Sequence, residues 1–180
     1  NGKTIPVRLE DFSNVQDYKE RKVVCKGCEN SCTVTQFKFE NGNKFFVNWS
    51  EGQKTGFFID QRENRQLVKE YAKGRTVLNM FGYTGGFSVY AMKNAQAVHT
   101  VDSSAGATAM ADENVRLNFG DDSRHAAITA DAFSYLAEMS GDYDLIILDP
   151  PAFAKHQKVL DKALQGYRRL NAAALRKIAP

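Results

Sequence analysis

TVLNMFGYTGGFSVYA, residues 76–91, reads as a short buried strand, a glycine-rich turn and the opening of a helix. Five β-prone or apolar residues end at Met80, Gly82, Gly85 and Gly86 let the backbone bend and come close to a neighbour, and the run that follows favours a helix. The same alternation continues downstream. AVHTVD at 97–102, AAITAD at 126–131 and YDLIILD at 143–149 have the length and composition of buried strands. Helical candidates lie between the runs at 86–95, 104–118 and 132–139, with Met110, Val115 and Leu117 as the buried positions of the second. Strand alternating with helix at this spacing predicts parallel βαβ units with right-handed crossovers, an α/β fold with a mostly parallel sheet. The block 155–178 predicts one amphipathic helix, with Leu160, Ala163, Leu164, Tyr167, Leu170, Ala174 and Ile178 on its apolar side.

Upstream the pattern is different. Alternation from Thr33 to Glu40, the turn pair Asn41-Gly42 and a strand-like run from Lys44 to Trp49 predict a β-hairpin. The stretch 61–73 is helix-prone, with Leu67, Val68 and Tyr71 at core spacing and Gly74 as a stop. The first thirty residues carry no clear period. The expected organisation is an extension over 1–50 and a larger domain over 51–180. With 180 residues and 43 % hydrophobic content the chain can bury one sizeable core. No apolar run approaches the roughly 18 residues of a membrane span, and no signal-peptide region opens the chain, so a soluble cytoplasmic protein is expected.

Charge is unevenly spread: +4 over residues 1–76, −7 over 77–154 and +6 over 155–180. An acidic centre between basic flanks suggests a cofactor site beside surfaces able to meet a polyanion, although the terminal charge run also reads as a solvated helix face. Cys25, Cys28 and Cys32 do not form the framework of a secreted disulfide scaffold. They read as reduced thiols or as part of a metal knuckle. A closed zinc site needs four ligands, so no metal is assigned.

In an open parallel sheet the ligand lies at the carboxyl ends of the strands. Residues 79–87 form the first such loop. Asp102 ends the second strand twenty residues after Gly82, where a carboxylate can accept the hydrogen bonds of a ribose diol. The third strand ends in Asp131-Ala132-Phe133, an acceptor and a ring suited to an adenine, with Asp131 equally placed as a helix N-cap. The fourth ends in Asp149-Pro150-Pro151-Ala152-Phe153, a stiff loop with a carboxylate able to face a flat substrate.

These residues resemble a known family. NMFGYTGGFSVYA, VDSS, ADAF and LDPPAF look like motifs I to IV of the Rossmann-like class I methyltransferases, and EGQKTGFFIDQRENR at 51–65 with GYRRLN at 166–171 is similar to the bacterial 23S ribosomal-RNA cytosine-C5 methyltransferases. The resemblance implies that S-adenosylmethionine is the cofactor and ribosomal RNA the partner. It places Phe58, Gln61, Asn79, Phe81, Tyr83, Thr84 and Gly85 near the methionine half, Asp102 at the ribose, Asp131 and Phe133 at the adenine and Asp149 at the transferred methyl group, counts Ser103, Ala132 and Pro150 among the cofactor-binding residues, and makes Asp149 the catalytic candidate. Core packing is the other reading of Phe58 and Phe81. Lys54, Arg62, Arg65, Lys155, Arg168 and Arg169 are the expected phosphate contacts.

The chain departs from the family in two places. The nucleophilic cysteine is expected on a strand beyond Pro180, so a truncated domain, inactive alone, is one expectation, with its sheet edge exposed or paired in a homodimer. The cysteine-bearing stretch 22–32 is also unfamiliar. A non-catalytic cofactor- and RNA-binding fragment and a guanine-N2 methyltransferase remain as alternatives. A nicotinamide-dependent oxidoreductase would share the glycine loop and Asp102 but has no Tyr-x-x-x-Lys relay here.

Overall fold

A computed structural model describes residues 18–24, 33–39, 42–48, 56–139, 141, 143–154 and 160–179. Cys25, Cys28, Cys32, Lys54 and Lys155 lie outside them. Strands β1 (Tyr18–Val24), β2 (Thr33–Phe39) and β3 (Lys44–Val47) form an antiparallel sheet in that order, with Gly42 at φ +81° in the turn before β3. The expected hairpin is therefore two strands of a three-stranded sheet. β1 escapes a periodicity reading because YKERKVV has no apolar alternation.

A 3-10 turn (Ile59–Gln61) leads into α1 (Arg62–Tyr71), then β4 (Thr76–Met80), α2 (Gly86–Ala91), β5 (Ala97–Asp102), α3 (Ala105–Phe119), β6 (His125–Thr129), α4 (Ala132–Glu138), β7 (Leu145–Leu148) and α5 (Leu160–Leu175). The second sheet has the order β6-β5-β4-β7 and every pairing in it is parallel. This is the expected α/β architecture. β6 and β7 are shorter than expected because Asp131 and Asp149 lie past the last ladder pairs. Just before β7 the chain pairs with its own later segment at Tyr143. Tyr143 N donates to Lys177 O at 3.0 Å, Ala179 N donates to Tyr143 O at 3.0 Å, and Ile178 pairs parallel to Tyr143.

Side chains of the parallel sheet alternate between two covered faces, as a pleat with helices on both sides requires. Val77 and Val98 pack with Val89, Tyr90, Met92 and Val115 on one side, whereas Leu78, Met80 and Val101 pack with Leu136, Leu170 and Ala174 on the other. Phe45 and Val47 of β3 belong to the first cluster, so residues on either side of position 50 share one core.

Side chains of α3 bind the free edge of β3. Asn114 Oδ1 accepts from Phe46 N at 2.6 Å and Asn118 Oδ1 accepts from Lys44 N at 2.8 Å, while Asn118 Nδ2 donates to Lys44 O at 2.7 Å. The two asparagines, one helical turn apart, stand in for a neighbouring strand and leave these half-buried backbone groups paired. Asn114 Nδ2 also donates to Thr84 O at 2.8 Å, which ties the small sheet to the glycine-rich loop.

Three helical faces differ from expectation. On α1, Leu67 and Tyr71 are more than half exposed, and the buried positions are Arg65 and, just beyond the helix, Ala72. On α3 the buried set includes Ala107, Ala111 and Asn114 with Val115, whereas Met110 and Leu117 are only half-buried. α5 is shorter than 155–178 and buries Ala163, Leu170 and Ala174, leaving Leu160, Leu164 and Ile178 exposed. Small residues allow α5 to lie close; a Cβ on Gly166 would come within 3.1 Å of the Phe153 ring. Among the described residues no helix is long and apolar enough to cross a membrane.

Behind the glycine-rich loop runs a buried polar chain. Asn79 Nδ2 donates to Ser88 Oγ at 2.9 Å, Ser88 Oγ lies 2.6 Å from Thr100 Oγ1, and Thr100 Oγ1 lies 2.9 Å from His125 Nε2. If each hydroxyl donates onward, Nε2 accepts and Nδ1–H faces Asp112 Oδ1 at 3.5 Å. That arrangement needs a neutral imidazole. Burial pushes His125 below its ordinary value, with Asp112 opposing, and burial likewise lowers His99. The unfolded chain therefore binds more protons than the fold, and the stability from these groups is intact above the ordinary imidazole value of about 6.5 and is lost as pH falls from there. Scanning calorimetry from about pH 7.5 to 5 should show a falling unfolding midpoint, with a shallower fall in His125→Gln. Equal slopes for the two proteins would contradict this assignment.

Candidate functional site

Among the described residues, the glycine-rich loop after β4 holds both non-glycine residues at positive φ. Phe81 and Tyr83, neither of them glycine, have φ of +56° and +46°, and Gly85 follows at +78°. Each such non-glycine residue costs on the order of 1–3 kcal/mol and persists only where its surroundings hold it. Here Gly82 N donates to Val101 O at 2.9 Å, Tyr83 N donates to Asp102 Oδ2 at 3.0 Å and Gly85 N donates to Gly82 O at 2.9 Å. The other Asp102 oxygen accepts from Ser104 N at 2.9 Å, so two backbone donors orient the carboxylate. Gly82 is the point of closest approach, because a Cβ there would collide with Thr100 Cγ2.

Around this loop lies a cleft of about 490 Å³ at the carboxyl ends of β4, β5 and β7. Four separate segments line it: Phe57, Phe58, Asp60, Gln61 and Arg65; Phe81 to Thr84 with Gly86 and Phe87; Asp102 and Ser103; and Asp149 to Ala152. Phe58 meets Tyr83 edge to face, ring centres 5.8 Å apart, which closes the upstream segment onto the glycine loop. The volume lies in the range of roughly 300–1,000 Å³ common for small-molecule sites, and a mixed wall of rings, carboxylates and one guanidinium suits a ligand with apolar and charged ends.

Nine of the expected cofactor residues line this cleft: Phe58, Gln61, Phe81, Tyr83, Thr84, Asp102, Ser103, Asp149 and Pro150. Five do not. Asn79 is fully buried behind the loop in the polar chain. Gly85 is the left-handed cap of α2, and a Cβ there would press on Ala111 Cβ at 3.0 Å. Asp131 is the N-cap of α4, accepting from Phe133 N and Ser134 N at 3.0 Å each, and is exposed. Ala132 and Phe133 pack into the second core cluster.

The expected phosphate contacts divide as well. Arg62, Arg168 and Arg169 are exposed, and Arg169 lies over the Phe133 ring at 5.5 Å. Arg65 does not belong with them. It is 3 % exposed, its Nη1 donates to Phe58 O at 2.6 Å, and its guanidinium lies 4.7 Å from the Phe57 ring centre and 5.6 Å from that of Tyr90. The rings of other segments draw it inward. Sequence reading missed Phe57 and Asp60 as cleft residues; the contiguity of Phe57, Phe58, Asp60 and Gln61, with Arg65 one helical turn on, was the available signal.

The Asp149 loop is held by α5. Phe153 stacks on Tyr167 with centres 4.4 Å apart, Phe153 N donates to Tyr167 Oη at 3.2 Å, and that hydroxyl points at Pro151 O, 3.4 Å away. Two prolines contribute no backbone donors, so a side chain from α5 supplies the bracing.

Comparison with known proteins agrees with this geometry. The family model described as S-adenosylmethionine-dependent methyltransferase matches residues 14–179. Ribosomal RNA large subunit methyltransferase I of Aeromonas salmonicida (strain A449) is 45 % identical over 145 residues, which is 78 % of this chain and 37 % of that protein. The ribosomal RNA large subunit methyltransferase of Deinococcus radiodurans is 42 % identical over 145 residues, again 78 % of this chain and 36 % of the relative. The chain thus spans little more than a third of the length of the curated relatives it matches. The crystal structure of SMU.776 complexed with SAH superposes with a TM-score of 0.69 at 32 % identity, covering 82 % of this chain and 40 % of that one.

Proposed function

This chain belongs to the S-adenosylmethionine-dependent methyltransferase family, and we propose that it is the cofactor-binding part of an enzyme that methylates a base of large-subunit ribosomal RNA. The observation that carries this reading is the cleft itself, where the strained loop, Asp102, the Asp149-Pro150-Pro151 segment and the 57–65 segment converge. Those residues fit the cofactor: an oriented carboxylate for a ribose diol, aromatic walls for apolar groups and charged side chains for an amino-acid end. When bound, S-adenosylmethionine supplies an electrophilic methyl group.

The remaining work falls to the chain. Asp102, fixed by Tyr83 N and Ser104 N, would hold the ribose, with Ser103 beside it. Phe58 and Phe81 would flank the ligand and exclude water. The Asp149 loop, braced by Tyr167, would keep a splayed-out base flat against the donor, as base-modifying enzymes require. Asp131 and Phe133, just past β6 and outside the cleft lining, would be the residues near an adenine. Arg62, Arg168 and Arg169 would contact phosphates, the sequence-independent part of RNA affinity. Cytosine C5 is the base we favour, on the likeness of 51–65 and 166–171 to the cytosine-C5 enzymes. Such chemistry starts with a thiolate attacking C6.

The test is calorimetric titration with S-adenosylhomocysteine. Saturable micromolar binding is expected; no heat at millimolar ligand would overturn the reading. Tritiated S-adenosylmethionine with unmodified large-subunit RNA, digested to nucleosides, then identifies the base. Label in 5-methylcytidine supports cytosine, and label in N2-methylguanosine would replace it with guanine.

A further inference from the structure

The outward face of the small sheet carries an unbalanced positive charge. Phe45 and Val47 are buried in the core, so the alternation of β3 turns Lys44 and Phe46 to the other face, where both are half-exposed. The register extends that face across the sheet. Lys38 of β2 stands opposite Lys44 and Gln36 opposite Phe46, while Lys19 of β1 stands opposite Lys38 and Arg21 opposite Gln36. Three lysines thus share one cross-strand row, and the next row on the same face adds Arg21. Val23 opposite Val34 completes the paired part of the face, which holds no acidic residue.

Like charges directly opposite one another destabilise a sheet, so such a row calls for a physical reason. Lysine often guards a sheet edge against pairing with another chain. That reason does not apply here, because Lys38 lies on the central strand and the β3 edge is already closed by Asn114 and Asn118. Among the described residues, neither Arg21, which is exposed, nor Lys44 takes part in an ion pair. A polyanion relieves the repulsion, since successive phosphates neutralise the cations and release counterions. Phe46 beside the row offers a ring on which an unpaired base can stack, the combination that binds single strands. On the inward face Phe45 meets Phe57, a wall of the cleft, with ring centres 4.7 Å apart, so the sheet itself is what separates the basic face from that wall.

We infer that the outward face of the β1-β2-β3 sheet binds the phosphate backbone of single-stranded RNA, with Lys19, Lys38 and Lys44 as its contact row, Arg21 extending the row and Phe46 stacking on a base. The choice of RNA rests on the proposed function and deepens it, since it adds a second RNA surface to the exposed arginines of α1 and α5. The sheet contributes affinity that is independent of sequence. Choice of the target base stays with the cleft.

The experiment follows the fluorescence anisotropy of a labelled single-stranded RNA of about 20 nucleotides, without cofactor, from about 50 to about 200 mM salt. Replacing the row together, Lys19→Gln with Lys38→Gln and Lys44→Gln, should lower affinity at the lowest salt about 30-fold and reduce the salt slope by about 2, at roughly 0.7 for each phosphate contact on a single strand. Lys69→Gln with Lys73→Gln and Arg75→Gln removes the same charge from α1 and the turn after it, and should change the slope by less than about 0.5. Equal falls in the two variants would make binding a matter of net charge and overturn the inference, as would RNA binding untouched by the row substitutions. Lys38→Glu is an independent arm. It exchanges two like-charge pairs for opposite ones, so it should weaken RNA binding about 10-fold yet raise the unfolding midpoint by about 2–4 °C. A lowered midpoint would contradict the row. Row-dependent binding to phosphatidylglycerol vesicles with none to RNA would replace RNA by a membrane surface and overturn the inference. Because no cofactor is present, failure to bind S-adenosylhomocysteine would count against the proposed function and leave this result standing, whereas failure of the unsubstituted protein to bind RNA would overturn this inference and leave the cofactor cleft standing.

Discussion

Replacing Asp102 by alanine is expected to weaken S-adenosylhomocysteine binding by at least about 100-fold, the largest loss of affinity we anticipate from a single substitution. Two contributions add. On the proposed reading the carboxylate accepts hydrogen bonds from the ribose diol, and bonds to a charged group contribute roughly 1.5–3 kcal/mol each. It also accepts from Tyr83 N, and so holds a residue at φ +46° that would otherwise relax. Without it the loop can leave the strained form, and the cofactor would have to restore that form on binding. Asp102→Asn separates the two contributions, because the amide oxygen can still accept from one backbone N–H while the other site becomes a donor. Its loss should lie between alanine and the unsubstituted protein, as calorimetry with S-adenosylhomocysteine would show. Undiminished affinity in Asp102→Ala would remove Asp102 from the site.

The largest effect on stability is expected at Gly82. An alanine there drives its methyl group into Thr100 Cγ2, and Thr100 is fully buried with its hydroxyl engaged by Ser88 and His125. The neighbour cannot rotate away without breaking the polar chain. Overpacking of this kind costs about 3 kcal/mol, which for a chain of this size lowers the unfolding midpoint by roughly 6–12 °C. Gly106→Ala is the control. That glycine lies within α3 and a Cβ there meets nothing closer than 3.9 Å, so alanine should leave the midpoint unchanged or raise it slightly. A Gly82→Ala midpoint within 2 °C of the control, a span of about 1 kcal/mol, would show that the loop is not packed against β5 as described.

The two substitutions act on one arrangement from opposite sides. Gly82 lets the loop lie against β5, and Asp102, the last residue of β5, reaches back to hold it. Fold and candidate site therefore share their most constrained residues. A strained backbone at such a point is costly unless a ligand uses the donors and space it creates, which is why its position beside the cleft supports a functional reading.

How much of this was legible beforehand follows from the range of each signal. The run from Thr76 to Leu148 could be read as alternating strands and helices because those patterns are local: continuous apolar runs for a sheet covered on both faces, glycine and carboxylates at the strand ends. Seven of the nine expected residues that line the cleft lie at strand ends, which converge wherever a parallel sheet forms, whereas Phe58 and Gln61 came from the resemblance of 51–65. Asn79 and Gly85 were placed near the ligand by motif position; the Asn79 side chain bonds Ser88, and Gly85 is the left-handed cap of α2, where a Cβ would lie 3.0 Å from Ala111 Cβ.

The amino-acid sequence by itself determined the class of fold, the order of strands and helices from β4 onward, the strand-end loops that line the cleft and, through its motifs, the family. The tertiary structure alone decided which face of α1 is buried, and hence that Arg65 sits under Phe58 rather than on the surface; that Asn114 and Asn118 complete the edge of β3; and that Tyr167 braces the Asp149 loop. The physical reason is common to the three. Periodicity reports where apolar side chains recur along one segment, whereas the burial of a long or polar side chain depends on which rings and backbone groups another segment brings to it, and no local pattern carries that information.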